Sequence, residues 1–253
     1  MPFADYLGDD DSARYLERML DDPSSGIDAP AAIILETIQG EGGLNTASRH
    51  WLQRVAAIAK RIGALLIVDD IQAGIGRSGQ FFSFEFAGIR PDIVTLAKSL
   101  SGYGLPLSAV LIHRDHDQWD IGQHNGTFRG NAHAFATATA ALETFWQDDE
   151  LVKTVELLGT RLQSSLEALA DEFPGTRRKG RAMLQGLAMP SGATASRVVE
   201  NAFERGLILE TSGPRGEVLK VLAPLVISPA ELDEGLAILR DAIAAGVTEE
   251  LPS

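Results

Sequence analysis

Lys98 and the pair Asp69–Asp70 could act on a carbonyl compound, and both stand where an apolar run stops. Lys98 follows Ile93-Val94-Thr95-Leu96-Ala97 and precedes the small, flexible Ser99-Leu100-Ser101-Gly102-Tyr103-Gly104. An ammonium at the end of a strand, inside a sheet covered on both faces, is costly to bury in its charged form. Desolvation therefore favours the free amine, a nucleophile that forms Schiff bases with carbonyls. A lysine here also fits a plainer role, a stem that lies along the surface with its head in water. Asp69 and Asp70 close the run Leu65-Leu66-Ile67-Val68. Successive strand residues point to opposite faces, so these carboxylates are not a catalytic pair. One can face a ligand while the other faces loops or helices, or caps the following turn. Gly74, Gly76 and Gly79 then permit unusual backbone angles or close approach. Their spacing is not that of a phosphate loop, which follows a strand at once and opens a helix.

These residues need elements to hold them. Ala31 to Leu35, Ala64 to Val68, Ile93 to Leu96 and Ser108 to Ile112 read as short buried strands. Between the first two, Trp51, Val55, Ile58, Ala59 and Ile62 recur at helical spacing, and Gly63 suits the end of that helix. Apolar strands alternating with helices predict a mostly parallel sheet covered on both faces. Ligands in such sheets sit beyond the carboxyl ends of the strands. Three polar clusters fall at those ends: Glu36 to Gly43, Asp69 to Gly79, and Ala97 to Gly104. Before them, the stretch to Asp28 is acidic and weakly periodic, and Asp21 to Gly26 is a turn.

After Trp146 the texture changes. Asp148 to Glu172 reads as an amphipathic helix with the core stripe Leu151-Val155-Leu158-Leu162. Ala182 to Met189 and Val218 to Leu222 read as strands, Thr194 to Arg205 and Pro229 to Ala245 as helices. The expected division is an α/β domain over 1–147, part of a large sheet domain, and a small α+β domain over 148–253.

The 253 residues carry 22 Lys and Arg against 35 Asp and Glu, a net charge of -13. That balance excludes a nucleic-acid binder, which needs clustered positive charge, and an anionic membrane surface. There is no cysteine, which excludes disulfides, thiol nucleophiles and Cys-ligated zinc. No apolar run approaches the ~18 residues of a membrane span. Met1-Pro2-Phe3-Ala4-Asp5 lacks a basic region followed by an apolar one, so the expected location is the cytoplasm.

A lysine and an aspartate at the ends of successive strands suit a pyridoxal cofactor. The lysine would carry the Schiff base, and the carboxylate would keep the pyridine nitrogen protonated so that the ring draws electrons. The surrounding sequence resembles a known family at three places, in the expected order and spacing. Val68-Asp69-Asp70-Ile71-Gln72-Ala73-Gly74-Ile75-Gly76-Arg77-Ser78-Gly79 resembles the aspartate motif of class III aminotransferases. Ile34-Leu35-Glu36-Thr37-Ile38-Gln39-Gly40-Glu41-Gly42-Gly43 resembles their upstream glutamate motif, and Thr95-Leu96-Ala97-Lys98-Ser99 their lysine motif. His124-Asn125-Gly126-Thr127-Phe128-Arg129-Gly130-Asn131 is similar to a segment that reaches the neighbouring subunit.

The resemblance implies the type I fold of pyridoxal-phosphate-dependent transferases and roles by position. Asp69 would pair with the pyridine nitrogen, Gln72 would contact the phenolic oxygen, and Lys98 would hold pyridoxal 5′-phosphate and shuttle the proton. Thr127 would reach the cofactor phosphate of a second subunit, implying a homodimer or higher homo-oligomer with shared sites. The same residue also suits the N-cap of a helix over Ala132 to Trp146. Glu41 matches a glutamate that, in relatives using ω-amines, pairs with an arginine and swings aside to admit glutamate. Lys220 stands where ornithine- and 4-aminobutyrate-type relatives carry an arginine before a Pro-Leu-Val/Ile segment, and a lysine is a point charge instead of a bidentate fork. Arg77 and Arg129 are further candidate carboxylate contacts, or solvated surface charges.

The departure at Lys220 and the loops 69–74, 99–106 and 124–131 are similar to the branch of the family that makes 2,4-diaminobutyrate for ectoine synthesis. That branch implies L-glutamate as donor and L-aspartate 4-semialdehyde as acceptor, giving L-2,4-diaminobutyrate and 2-oxoglutarate. The alternatives are another ω-amino acid transaminase, of ornithine or 4-aminobutyrate type, and a non-catalytic remnant. Family chains are longer, and this sequence corresponds to their later part. Met1 to Pro30 offers neither the Gly-rich phosphate loop nor the aromatic residue that stacks on the ring, so a front segment is expected to be missing.

Overall fold

The computed structural model describes residues 1–8, 11–127 and 129–248. The chain divides into two compact units that interleave along the sequence. One comprises Met1–Thr37, Ala47–Ile75 and Gln80–Asp149; the other comprises Ile38–Thr46, Gly76–Gly79 and Glu150–Ser253. Among the described residues no helix is long and apolar enough to cross a membrane.

The first unit is built on a four-stranded sheet: β1 (Ala32–Leu35), β2 (Leu65–Asp69), β3 (Ile93–Leu96) and β4 (Ala109–Ile112), in that order. The first three run parallel and β4 is antiparallel to β3. Helix α2 (Arg49–Ile62) makes the crossover from β1 to β2. Ser48 Oγ accepts from the Trp51 N–H at its start, and Gly63 ends it at φ 72°, a left-handed angle that glycine adopts without strain.

The register sorts the side chains onto two faces. Leu35, Leu66, Val68, Val94 and Leu96 point to one, where they are buried with Trp51, Leu52, Val55 and Ile58 of α2. Each large apolar side chain buried here contributes about 1.5–3 kcal/mol. Helix α1 (Asp11–Asp21) joins the same cluster through Ala13, Leu16 and Leu20, and Ser12 Oγ accepts from Trp51 Nε1 at 2.7 Å. The opposite face carries Ile34, Ile67, Asp69, Ile93, Thr95 and Val110. This face differs from the expected covered one: Ile34 keeps 63% of its surface, because the helices that follow and precede β1 in this unit both pack with the other side.

Helix α3 (Ala132–Phe145) ends the first unit's ordered elements. Its N-cap is Asn131, not Thr127: Asn131 Oδ1 accepts from the His133 and Ala134 N–H groups at 3.1 and 3.3 Å. Thr127 lies too early in the chain to reach those donors, and Phe128 in the same loop falls outside the described residues.

The second unit holds an antiparallel sheet in the order β5 (Arg177–Arg181), β6 (Leu184–Ala188), β8 (Val218–Val221), β7 (Glu210–Ser212). Leu187, Leu219 and Val221 face a core made with α4 (Glu150–Glu172), α5 (Gly192–Glu204) and α6 (Pro229–Thr248). Residues 38–46 meet the other face. Leu44 is buried there, and a Cβ at Gly186 would fall 2.9 Å from its Cδ1, so the missing side chain makes the room.

Candidate active site

The end of β2 separates the two aspartates as strand geometry requires. Asp70 is fully buried, and its Oδ2 accepts from the Ser83 N–H at 2.9 Å. Its carbonyl also accepts from the Gly74 N–H, and a Cβ at Gly74 would stand 2.8 Å from Asp70 Oδ2. Asp70 is thus the anchor of the turn, and Gly74 is there for close approach. Asp69 lies half-buried on the opposite, open face. It is the register partner of Thr95, whose hydroxyl donates to Asp69 Oδ1 at 3.2 Å, while the Ile71 N–H donates to the same oxygen at 3.1 Å. Among the described residues Asp69 Oδ2 has no donor, so one carboxylate oxygen is fixed and the other is available.

Lys98 sits three residues beyond Thr95, at the end of the neighbouring strand. It opens a 3₁₀ turn, Lys98–Ser101, with its backbone at φ 50°. A side chain in the left-handed region costs on the order of 1–2 kcal/mol, and such strain persists only where the surroundings impose it. Gly102 follows at φ 71°, and a Cβ there would lie 2.5 Å from that of Ala141, so the turn is pressed against α3. Ser101 Oγ accepts from the Gly104 N–H and closes the loop. The Lys98 side chain is exposed, where the expected doubly covered sheet would have desolvated it. Gln72 is half-buried in the turn after Asp69, and Thr127 is exposed in the loop before α3. Arg129, in that same loop, donates to the His124 carbonyl at 2.6 Å.

The second unit holds the remaining candidates. Lys220, in the middle of β8, keeps 1% of its side-chain surface, and its ammonium donates to Glu41 Oε1 at 2.8 Å. A nearly buried ammonium needs such compensation. A second carboxylate, Glu210 on β7, stands 3.2 Å away; sequence reasoning missed it because β7 is three residues long and shows no alternation. Arg77 is a structural tie. Its Nη1 donates to the carbonyls of Ala223 at 2.6 Å and Met183 at 3.2 Å, and burial lowers its pKa to about 10, so it stays charged at neutral pH.

A mostly parallel sheet with an amine and a carboxylate at adjacent strand ends fits the type I transferase architecture. Comparison with known proteins makes the assignment specific: residues 5–243 match the class-III aminotransferases, and the chain belongs to that family. It is 52% identical over 245 residues to the diaminobutyrate–2-oxoglutarate transaminase of Nocardia farcinica, covering 96% of this chain and 56% of that protein. It is 51% identical over 255 residues to the transaminase of the same name from Halalkalibacterium halodurans, covering 99% of this chain and 60% of that one. Among solved structures, ornithine aminotransferase of Toxoplasma gondii ME49 superposes with a TM-score of 0.84 at 33% identity, covering 96% of this chain and 56% of that one. The chain thus spans between half and two thirds of the length of these relatives. The family implies pyridoxal 5′-phosphate, and the donor set fits it: an exposed amine for the aldehyde carbon, and the available Asp69 Oδ2 for a pyridinium N–H.

Proposed function

We propose that this chain carries the catalytic half-site of a transaminase moving an amino group from L-glutamate to L-aspartate 4-semialdehyde, giving L-2,4-diaminobutyrate and 2-oxoglutarate. The observation that carries the reading is Asp69, held by Thr95 and the Ile71 N–H with its second oxygen open, beside the strand that ends in Lys98. When bound, pyridoxal phosphate supplies an electron sink for negative charge at the carbon bearing the substrate nitrogen. Lys98 Nζ would hold it, and the same amine would accept the proton leaving that carbon. Asp69 Oδ2 would keep the ring nitrogen protonated, Gln72 would orient the phenolic oxygen, and Thr127 would serve the phosphate of a second subunit in a homodimer or higher homo-oligomer. Lys220 receives a substrate carboxylate when Glu41 moves away from it. The name and identity of the two diaminobutyrate relatives support this substrate pair over the ornithine or 4-aminobutyrate type. A cytoplasmic location belongs to the same reading.

A second reading is that these residues act only together with further polypeptide, matching the rest of the relatives' length. The exposed Lys98 and the exposed Ile34 favour it. One experiment separates the two: visible spectra of the purified chain with pyridoxal phosphate, before and after borohydride, followed by peptide mapping. Cofactor fixed at Lys98 alone supports a half-site that assembles by itself. Scattered labelling of surface lysines supports the second reading.

A further inference from the structure

Lys220 has two carboxylates on it, and the two are not equivalent. Glu210 is its direct register partner on β7, fixed by the antiparallel ladder that also pairs Ser212 with Val218. Glu41 comes from a loop, through 38–46, and keeps 76% of its side-chain surface. Glu210 keeps 65% of its own, but its backbone is held directly opposite Lys220 by the strand pair, so its carboxylate stays within reach of the ammonium. On the other side of Lys220 the register partner is Gly186, which offers no charge.

We infer that Glu210 is the standing counter-ion of Lys220, and that its presence is what lets Glu41 exchange with the carboxylate of a substrate. This rests on the reading of Lys220 as a carboxylate receptor. Breaking a buried ion pair by removing one partner is expensive, because the remaining charge is stranded out of water. With Glu41 as sole partner, Lys220 would pass through such a stranded state each time Glu41 moved. With Glu210 in place, the departure of Glu41 leaves a neutral pair, so the open state is reached readily. The same neutral pair attracts an incoming carboxylate less than a bare ammonium would. Glu210 therefore acts on both sides of the exchange: it lowers the cost of opening and weakens the hold on what enters. It is a positioning residue that sets the speed of carboxylate exchange more than its equilibrium.

The test uses the purified chain and 13C-labelled glutarate, a dicarboxylate without a reactive amine or ketone, with affinity and exchange rates read by NMR. In Glu41→Gln, glutarate should bind about fivefold more tightly than in the unaltered chain, since its competitor is gone. In Glu210→Gln, the dissociation constant should stay within about threefold while association and dissociation both slow by about fivefold. Glu210→Asp, which keeps the carboxylate, should recover the faster exchange. Lys220→Met, an apolar side chain of similar length, should abolish binding with the fold intact by circular dichroism. Exchange in Glu210→Gln at unaltered rates, or tighter binding from slower dissociation alone, would overturn the role given to Glu210. No glutarate binding by either the unaltered chain or Glu41→Gln would overturn the receptor role of Lys220, and with it this inference.

Discussion

Asp69 and Thr95 are paired residues on neighbouring parallel strands, and the Thr95 hydroxyl donates to Asp69 Oδ1 at 3.2 Å. The bond leaves that carboxylate one oxygen to offer and one direction in which to offer it. Replacing Thr95 by valine keeps the branched shape and removes the donor. A hydrogen bond to a charged group contributes roughly 1.5–3 kcal/mol, so pyridoxal phosphate affinity should fall by an order of magnitude or more. Titration by absorbance checks this, with thermal unfolding to show that the sheet is intact. An unchanged affinity would remove Thr95 from the site.

The left-handed backbone of Lys98 gives an inverted expectation for two truncations. Alanine is normally the better choice near a helical turn, but at φ 50° glycine alone is free of strain. Lys98→Gly should therefore be more stable than Lys98→Ala by about 1 kcal/mol, measured by denaturant unfolding. Both should lose the borohydride-fixed cofactor.

Arg77 is placed to hold carbonyls, not a substrate. Arg77→Met should strand the Ala223 and Met183 oxygens and cost roughly 1–3 kcal/mol of stability. Its effect on glutarate affinity should be small. A loss of carboxylate binding with no loss of stability would reverse the assignment.

Ser228 and Glu231 form a reciprocal cap at the start of α6. The Ser228 N–H and hydroxyl donate to Glu231 Oε2, and the Glu231 N–H donates back to Ser228 Oγ. The Ser228 hydroxyl and N–H hold the Glu231 carboxyl below its ordinary value of 4.5. A carboxylate whose folded pKa is depressed stabilises the fold above its unfolded pKa, and loses that contribution as pH falls through the folded one. The melting temperatures of the unaltered chain and Glu231→Gln should differ at pH 7, and the difference should shrink as pH falls below 4.5 and through the depressed folded pKa. A constant difference down to pH 3 would mean the carboxylate charge is not what matters.

Much of this was legible in the sequence, for definite reasons. The strand ends that carry Asp69 and Lys98 announce themselves because apolar runs stop there, and Ser48 and Gly63 bracket α2 as their chemistry predicts. β5 was illegible: Arg177-Arg178-Lys179-Gly180-Arg181 has no apolar alternation, and its ladder to β6 is made by backbone. α1 hid its three-residue apolar stripe among acidic side chains. The signal for Thr95 was present, as the one hydroxyl in an apolar strand on the parity of Asp69. The signal for Glu210 was not, because only the fold sets it opposite Lys220.

The interleaving of the two units bears on how such a chain can be cut, swapped or inherited. Residues 150–253 look like a self-contained module in sequence, but the cover over Gly186 and Lys220 is encoded more than a hundred residues earlier, in 38–46. A fragment that starts at Glu150 would leave Lys220 with Glu210 alone and uncover the apolar face that Leu44 fills. Recombination with a relative at that apparent boundary would pair one parent's Glu41 with the other's Lys220. The crossover that preserves the carboxylate device must carry 38–46 and 76–79 along with the later half, so the unit of exchange is discontinuous.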